Sequence, residues 1–404
     1  MNELVSVVLP VRNGERTIRQ AIESVLNQTY PHFELIVVDN SDDSTPEIVK
    51  SYHDKRLKYF RQKSKGSVNG YNEALDEYVS GEFVTFIHHD DIYRPSKLYD
   101  QIRMFDKFSD VDVVYHDIDF VDNDLKLIRF RGHEDFYHRN QDLLAGMMIG
   151  YGISNVGMCI MVRRDFIERQ HLRYSLETIY GCDHTYVFDL IDAGAVFKHV
   201  KKSLLLYRIH EDNYSLDRDA VERDFQKCYS RYSIDRLKEI VQSTNFSDNE
   251  KEVILGKLYY RLHHIDLAEE YFLKVLANHD NPWAAFYLGT GFYRYRGDFT
   301  KAEQWLKKGS QAMPYCPEFL NNIGCCIIQT RGIAEAENYF SKALKLRSDF
   351  NHADHNLRHC KQGAKFNPRL TAREIEHSDL FGVIWKNAEK KREESGSLQP
   401  AGNL

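Results

Sequence analysis

The chain has 404 residues, 42% of them hydrophobic, which is more than one ordinary core requires and enough for two. Charged residues make up 28% and the formal net charge is -6, so neither the basic field of a nucleic-acid binder nor an acidic disordered tail dominates. Seven cysteines (Cys159, Cys182, Cys228, Cys316, Cys325, Cys326, Cys360) stand at unpaired spacings, the pattern of a reducing compartment rather than a disulfide framework.

The N-terminus reaches Glu3, Pro10 and Arg12 too soon for the apolar core of a signal peptide. Residues 5–9 read as a strand buried on both faces and closed by Pro10. A helix over 17–26 puts Ile18, Ala21, Ile22 and Val25 on one face, with Thr17 as its N-cap. A second strand over 33–38 is stopped by Asp39, Asn40 and Ser41; a short helix over 46–52 and a third strand over 57–60 follow. The next elements are a helix over 70–79 and a fourth strand over 83–88. This alternation predicts a doubly wound α/β sheet, in which ligands sit beyond the carboxyl ends of the strands. Those ends carry the polar clusters 10–14, 39–43 and 88–91.

Residues 143–162 carry no charge and approach the ~20 apolar residues that a membrane helix needs. Gly146, Gly150, Gly152, Ser154, Asn155 and Gly157 dilute and break that run, so a Gly-rich loop feeding a buried strand over 156–162 is expected, with no membrane span.

Several acids stand where chemistry is expected. Asp39 can accept from a nucleotide base or ribose, or serve a turn. In His88-His89-Asp90-Asp91 two adjacent carboxylates repel unless a cation or solvent screens them, and oxygen ligands favour Mg²⁺ or Mn²⁺. Zinc on the two histidines is the competing metal, although neighbours on a strand point to opposite faces. A polar turn into Pro95 is the plain structural reading. Gly181-Cys182-Asp183-His184 precedes an apolar helix, so Asp183 is either an acid favoured by the helix dipole or a general base. Tyr207-Arg208-Ile209-His210 follows the apolar run 204–206.

The back half repeats. Ala268, Ala302 and Ala336 lie 34 residues apart, as do Phe272, Leu306 and Phe340. Gly256, Thr290 and Gly324 keep the same step, and so do Tyr259, Tyr293 and Ile327. That period of helix-turn-helix units is the tetratricopeptide signature. Pro282 and Pro314 fall in turns between repeats, and a helix over 351–361 caps the last. Domains are expected at 1–215 (α/β), 216–248 (a charged helical linker), 249–362 (repeats with capping helix) and 363–404 (a tail). The tail has one apolar cluster over 380–385, and its last residues, 395–404, read as disordered. The repeats pack on the front half or on a second copy of the chain, or else dock a protein or glycan acceptor; packing is the expectation.

In order, these motifs resemble those of the inverting family 2 glycosyltransferases with the nucleotide-sugar-binding GT-A fold. SVVLPVRNGERTIRQAIESVLNQTYPHFELIVVDNSDDST resembles the family's opening strand, proline, helix and second strand ending in Asp. FVTFIHHDDIYRPSKL stands in the place of the Asp-x-Asp metal motif, GCDHTYVFDLIDAG in that of the Glu-Asp base motif, and YRIHEDNYS resembles the Tyr-Arg-x-His ending. The resemblance covers residues 5–215. His88 stands where an acid is usual, Cys182 where a Glu is, and Tyr71-Asn72 where an Arg-Asn pair is.

The resemblance implies a nucleoside-diphosphate sugar as donor and Mn²⁺ or Mg²⁺ as cofactor. Pro10 would line the base pocket, Asp39 hold the base, and Asp90 bind the metal. Asp91 would touch the sugar or the metal shell, Asp183 deprotonate the acceptor hydroxyl, and His210 contact the diphosphate. The acceptor would be a glycan, a lipid-linked glycan or a protein, at a cytoplasmic location that includes the periphery of an inner membrane. Two other functions compete: a non-catalytic sugar-nucleotide-fold scaffold acting through its repeats, and a metal-dependent phosphohydrolase.

Overall fold

Seven consecutive buried residues, Val5–Val11, form the first strand, β1. β2 (Phe33–Asp39) lies beside it in parallel, Val5 against Phe33 and Val11 against Asp39. Continuous apolar runs suit strands covered on both faces. β3 (Leu57–Arg61) extends the sheet beyond β2, and β4 (Phe83–Phe86) lies on the other side of β1, giving a parallel half in the order β3-β2-β1-β4. The crossovers are α1 (Ile18–Leu26), α2 (Thr45–Lys50) and α3 (Ser67–Glu73), the last continued by a π-helical turn, Ala74–Tyr78. Strand order reverses between β1 and β4, which is where a crevice opens at the carboxyl ends of such a sheet.

The computed structural model describes residues 2–131, 140–148, 157–210, 218–348, 350–363 and 366–371. Pro10 does not end β1. The last bond from the β4 side runs from the Ile87 N–H to the Val8 carbonyl (3.0 Å). Pro10 faces that side two residues further on, past the end of β4, so its missing N–H costs no ladder bond there and the strand runs on to Val11 against β2. Thr17 occupies the N-cap of α1 but its side chain does not cap the helix; its hydroxyl meets His89 Nδ1 instead (3.1 Å).

Beyond β4 the sheet is mixed rather than doubly wound throughout. β8 (Met161–Arg163) runs antiparallel to β4 and to β6 (Val113–Val121). β9 (Phe197–Arg208) is parallel to β6 and antiparallel to the short β5 (Ile92–Tyr93), while β7 (Leu127–Arg131) pairs with β6. Helices α4 (Lys97–Lys107), α5 (Asn140–Met148), α6 (Arg164–Arg169), α7 (Cys182–Asp192), α8 (Arg218–Ser230) and α9 (Ile234–Gln242) follow in chain order. Of the uncharged stretch 143–162, residues 149–156 lie outside the described residues; a 3-10 turn, Gly157–Cys159, leads into β8. Among the described residues no helix is long and apolar enough to cross a membrane. All seven cysteines are free and buried.

The chain divides into two compact units, Met1–Ile240 and Val241–Leu404, so α8 belongs to the first. The second is helical: α10 (Asp248–Arg261), α11 (Ile265–Asn278), α12 (Pro282–Gly291, continued by a π-helical turn Phe292–Arg296), α13 (Phe299–Ala312), α14 (Pro317–Thr330), α15 (Ile333–Leu346) and α16 (Asn351–Gln362). Ser247 and Glu250 form a capping box at the start of α10, and Asn281 caps α12 with Pro282 at its first position. Close helix approach explains the small residues: a Cβ on Gly256 would come within 2.6 Å of the Phe272 ring, and one on Gly324 within 2.7 Å of Phe340. In the middle hairpin the approach falls one residue before the in-step Thr290, at Gly289, where a Cβ would meet Leu306 at 2.5 Å. The π-helical turn Phe292–Arg296 absorbs the extra residue that this slip leaves.

Candidate active site

Three loops meet at the carboxyl ends of β1, β2 and β4. Asn13 donates its N–H to Ser41 Oγ (2.8 Å), Gly14 donates to Thr45 Oγ1 (2.9 Å), and Asp42 donates back to Asn13 Oδ1 (2.9 Å). These bonds hold the loop after β1 against the loop after β2. Asn13 takes the left-handed conformation (φ 56) that Asn tolerates better than most residues. Gly14 faces the third loop, for a Cβ there would lie 3.1 Å from the His89 ring.

Asp39, at the end of β2, is fully buried. Its Oδ1 accepts the Ser41 N–H (2.9 Å), and its Oδ2 accepts from the Tyr59 hydroxyl (2.7 Å) and Arg61 Nη1 (3.0 Å). Three of its four acceptor positions are therefore filled from within, leaving one on Oδ1. Burial and the Asp39 carboxylate push the Tyr59 hydroxyl up to about 12. Pro10 lies nearby through Gly70, whose Cβ would sit 3.0 Å from the proline and 2.9 Å from Gln62 Oε1. Tyr59, Arg61 and Gln62 have no distinguishing pattern in sequence; only the register of β3 beside β2 brings them here.

The stretch 88–91 leaves the sheet after Phe86, so it is not governed by strand alternation. His88, Asp90 and Asp91 offer ligand atoms that all lie within 4.8 Å of one another. His89 turns away to Thr17 and Gly14, and burial lowers its pKa. Asp90 Oδ2 accepts from His210 Nε2 (2.8 Å). Burial opposes the charge on Asp90, but the bond from His210 and the neighbouring His89 and His88 hold its carboxyl well below the usual range. Asp91 is 1% exposed; Oδ1 accepts the Arg208 N–H (3.1 Å), while Oδ2 is buried with no hydrogen-bond partner. Burial raises its pKa well above the carboxylate norm, and the charges of Asp90 and Asp183 add to the effect. A buried acceptor without a donor, beside a second carboxylate and an imidazole, fits a divalent cation, whose charge would reverse the upward shift.

Arg208, buried at the end of β9, fixes this turn. It donates to the Asp90 carbonyl from Nε (2.9 Å), to the Asn123 carbonyl from Nη1 (2.6 Å) and to Gln20 Oε1 from Nη2 (2.6 Å). The motif around Arg208 and His210 was visible in sequence; the anchoring role of Arg208 was not.

Asp183 opens α7, and its charge raises both Asp91 and Tyr71, which places it electrostatically with the 88–91 cluster. A Cβ on Gly157 would lie 2.8 Å from that of Asp183, so the glycine lets the 3-10 turn close on the side chain. Cys182 donates its thiol to Asp183 Oδ1 (3.3 Å), and burial, then the Asp183 charge, keeps that thiol protonated. Asp224, from α8, accepts the N–H groups of Tyr180 (2.7 Å) and Gly181 (3.1 Å) on Oδ2 and so fixes the entry to α7. Nothing in sequence marked Asp224.

Tyr71 stacks on Tyr174 (4.4 Å, 18°), which stacks on Tyr186 (4.1 Å, 5°), with Phe86 edge-on to all three. Asn72 pins Tyr174 by both main-chain groups, accepting its N–H (2.8 Å) and donating to its carbonyl (2.9 Å).

Residues 6–170 match the family model described as glycosyl transferase family 2. An uncharacterized glycosyltransferase of Rickettsia typhi is 40% identical over 114 residues, covering 28% of this chain and 35% of that relative. The UDP-Glc:alpha-D-GlcNAc-diphosphoundecaprenol beta-1,3-glucosyltransferase WfgD of Escherichia coli is 38% identical over 122 residues, covering 30% of this chain and 47% of that relative. The matches thus span between a third and a half of these relatives' length. The solved structure of S. aureus TarS 1-349 in complex with UDP-GlcNAc matches with a TM-score of 0.50 at 17% identity, over 92% of this chain and 98% of that one, a likeness of fold. The mixed sheet is of the GT-A type, and within the front unit residues 6–170 are similar to glycosyl transferase family 2.

Proposed function

We propose that the protein is an inverting, metal-dependent glycosyltransferase that moves a sugar from a nucleoside-diphosphate sugar to a hydroxyl on a glycan, a lipid-linked glycan or a protein. The observation that carries this reading is the cluster of His88, Asp90 and Asp91, within residues that match the family 2 model and near enough to Asp183 for its charge to act on Asp91. Pro10 and Asp39 frame the base pocket, with the remaining acceptor position of Asp39 turned to the base. Asp90, Asp91 and His88 would hold Mn²⁺ or Mg²⁺; the two carboxylates suit either ion, and the imidazole favours Mn²⁺. That ion supplies charge neutralisation for the departing diphosphate.

Asp183 takes the proton of the acceptor hydroxyl, whose oxygen attacks the anomeric carbon from the side opposite the diphosphate, inverting it. Cys182, protonated and bonded to Asp183, orients the carboxylate without competing for that proton. His210 holds Asp90 and faces the diphosphate. The tyrosine stack is buried and meets the 88–91 turn edge-on at His88 (6.4 Å), with Tyr71 standing where the resembled family usually has an arginine. The name of the E. coli relative gives UDP-Glc as its donor, so uridine-linked sugars are the first donors to test. The 34-residue step of the helical unit is read as tetratricopeptide repeats, whose faces pack on a second copy of this chain or on a protein partner.

The test is incubation with a panel of sugar nucleotides, scoring nucleotide release with and without Mn²⁺, for the wild type and Asp183→Asn. Metal-dependent release is expected from at least one donor, reduced by about 10²–10⁴-fold in the variant while donor affinity changes little. Donor binding without turnover would favour the scaffold reading, and release at the wild-type rate from Asp183→Asn would move the base elsewhere.

A further inference from the structure

Helix α16 carries two imidazoles one turn apart, His355 and His359. Residues four apart share one face of a helix, with Cβ atoms about 5–6 Å from each other. The two ring centres lie 4.1 Å apart with a 40° tilt, and both residues are half-buried. His352, a further turn back, sets its ring against Phe350 instead (5.8 Å).

The tautomer of His359 follows from its partner. Its Nδ1 bonds to the His355 carbonyl (2.8 Å), and a carbonyl only accepts, so Nδ1 carries the proton and Nε2 of the neutral ring presents a lone pair. The Phe366 ring lies against the same imidazole (5.1 Å) and limits its rotation. An imidazole that donates its second N–H to a backbone carbonyl is held in the way that orients histidines towards metal ions. Among the described residues no hydrogen bond takes Nε2 of His359 or either nitrogen of His355. Burial, then the charges of Arg369, His359 and Arg358, lower the pKa of His355, so its ring is neutral near pH 7 and able to ligate. Arg358 is itself paired with Asp354, and Arg369 is exposed where solvent screens it, so neither charge closes this face to a cation.

We infer that His355 and His359 form a second metal site, which takes a borderline divalent cation of the Zn²⁺, Ni²⁺ or Cu²⁺ class. Two imidazole nitrogens suit those ions and not Mg²⁺ or Mn²⁺, which prefer oxygen. The rings are near enough to share one ion at the ~2.1 Å of a zinc–imidazole bond, with water in the remaining positions. The site differs from the 88–91 cluster in ligand type: nitrogen alone here, two carboxylates with one imidazole there. An ion bridging successive turns staples α16, the last helix of the array, and stabilises it because the ligands converge only when the helix is formed. The inference stands apart from the sugar-transfer reading, since it uses only the helical unit.

The test uses the full chain, stripped of metal with a chelator and desalted, then titrated with ZnCl₂ in a calorimeter. The 88–91 cluster can also take Zn²⁺, so the measure is the difference between chains. H355A and H359A should each lose the same single equivalent of Zn²⁺ that the unaltered chain binds, and H352A should keep it. Amide exchange in the unaltered chain is an independent measurement: Zn²⁺ should slow exchange along α16, Mn²⁺ should not, and chelator should reverse the effect. Equal Zn²⁺ stoichiometry in all four chains, loss in only one of H355A and H359A, no protection of α16 by Zn²⁺, or equal protection by Mn²⁺ would each overturn the inference.

Discussion

Lys97 is a buried ammonium group beneath the sheet, and its replacement by methionine tests how the front unit holds it. The side chain is 0% exposed, and Nζ donates to Thr85 Oγ1 (2.8 Å) and Gln101 Oε1 (2.9 Å) while lying 4.0 Å from the Tyr93 ring centre. Burial lowers its pKa from 10.5 to about 7. At about 1.4 kcal/mol per pH unit, that drop corresponds to a cost near neutral pH of about 5 kcal/mol. The unfolded chain binds the proton more tightly, so wild-type stability rises from pH 7 to about 10.5 and this contribution is flat below pH 7. Lys97→Met removes the titration. Its own cost is mainly the donor lost to Gln101 Oε1, about 1–3 kcal/mol; Thr85 Oγ1 also loses a donor but keeps its own bond to the Ile160 carbonyl (2.7 Å), and Gln101 keeps its bonds to the Val114 and Cys159 carbonyls (2.9 and 3.0 Å). The variant should therefore be the more stable protein at pH 7, and its advantage should shrink by about 1.4 kcal/mol per pH unit towards pH 10. Urea unfolding of the front unit, measured on both proteins at each pH, gives the difference directly, with other titrating groups cancelling. A constant difference from pH 7 to 10 would refute the reasoning and show that the ammonium stays charged on the Tyr93 ring.

Asp90→Asn should lower transfer by at least about 100-fold with little change in melting temperature, and chelation should inactivate the wild type until Mn²⁺ or Mg²⁺ is restored; full activity in excess chelator would remove the metal from the site. Asp224→Ala should lower kcat by about 10²-fold at nearly constant donor KM, because it frees the Tyr180 and Gly181 N–H groups that set Asp183. Asp224→Asn keeps an acceptor oxygen and should restore most of that loss; equal defects in the two variants would mean that the charge of Asp224, not its grip on the loop, is what matters.

What the sequence reveals here depends on whether a signal is local. The strands β1 and β2 are continuous apolar runs, and a buried parallel strand needs nothing else, so they could be read directly. β6 could not. It buries Asp117 and Asp119 within a strand, and those carboxylates are tolerated because partners distant in sequence answer them: His199 meets Asp117 (2.8 Å) and Arg94 meets Asp119 (2.6 Å). The same division runs through the candidate site. Asp90, Asp91 and Asp183 stand at element ends within ordered motifs and were visible, whereas Tyr174 reaches Tyr71 only because Asn72 clasps its backbone across the fold. Strand alternation separated His88 from His89 for the wrong reason: the sheet has already ended at Phe86, and the turn that follows sends His88 to the carboxylates and His89 to Thr17. Even the repeat step hides a slip, since Thr290 holds the in-step position while Gly289 makes the close approach to Leu306, and the π-helical turn after it restores the period. Motif spacing thus marks which groups the chain brings to its chemistry. The groups that hold them still, Arg208 behind the 88–91 turn and Asp224 behind Asp183, are selected by backbone N–H and C=O groups elsewhere in the fold, and those leave no pattern in the order of side chains.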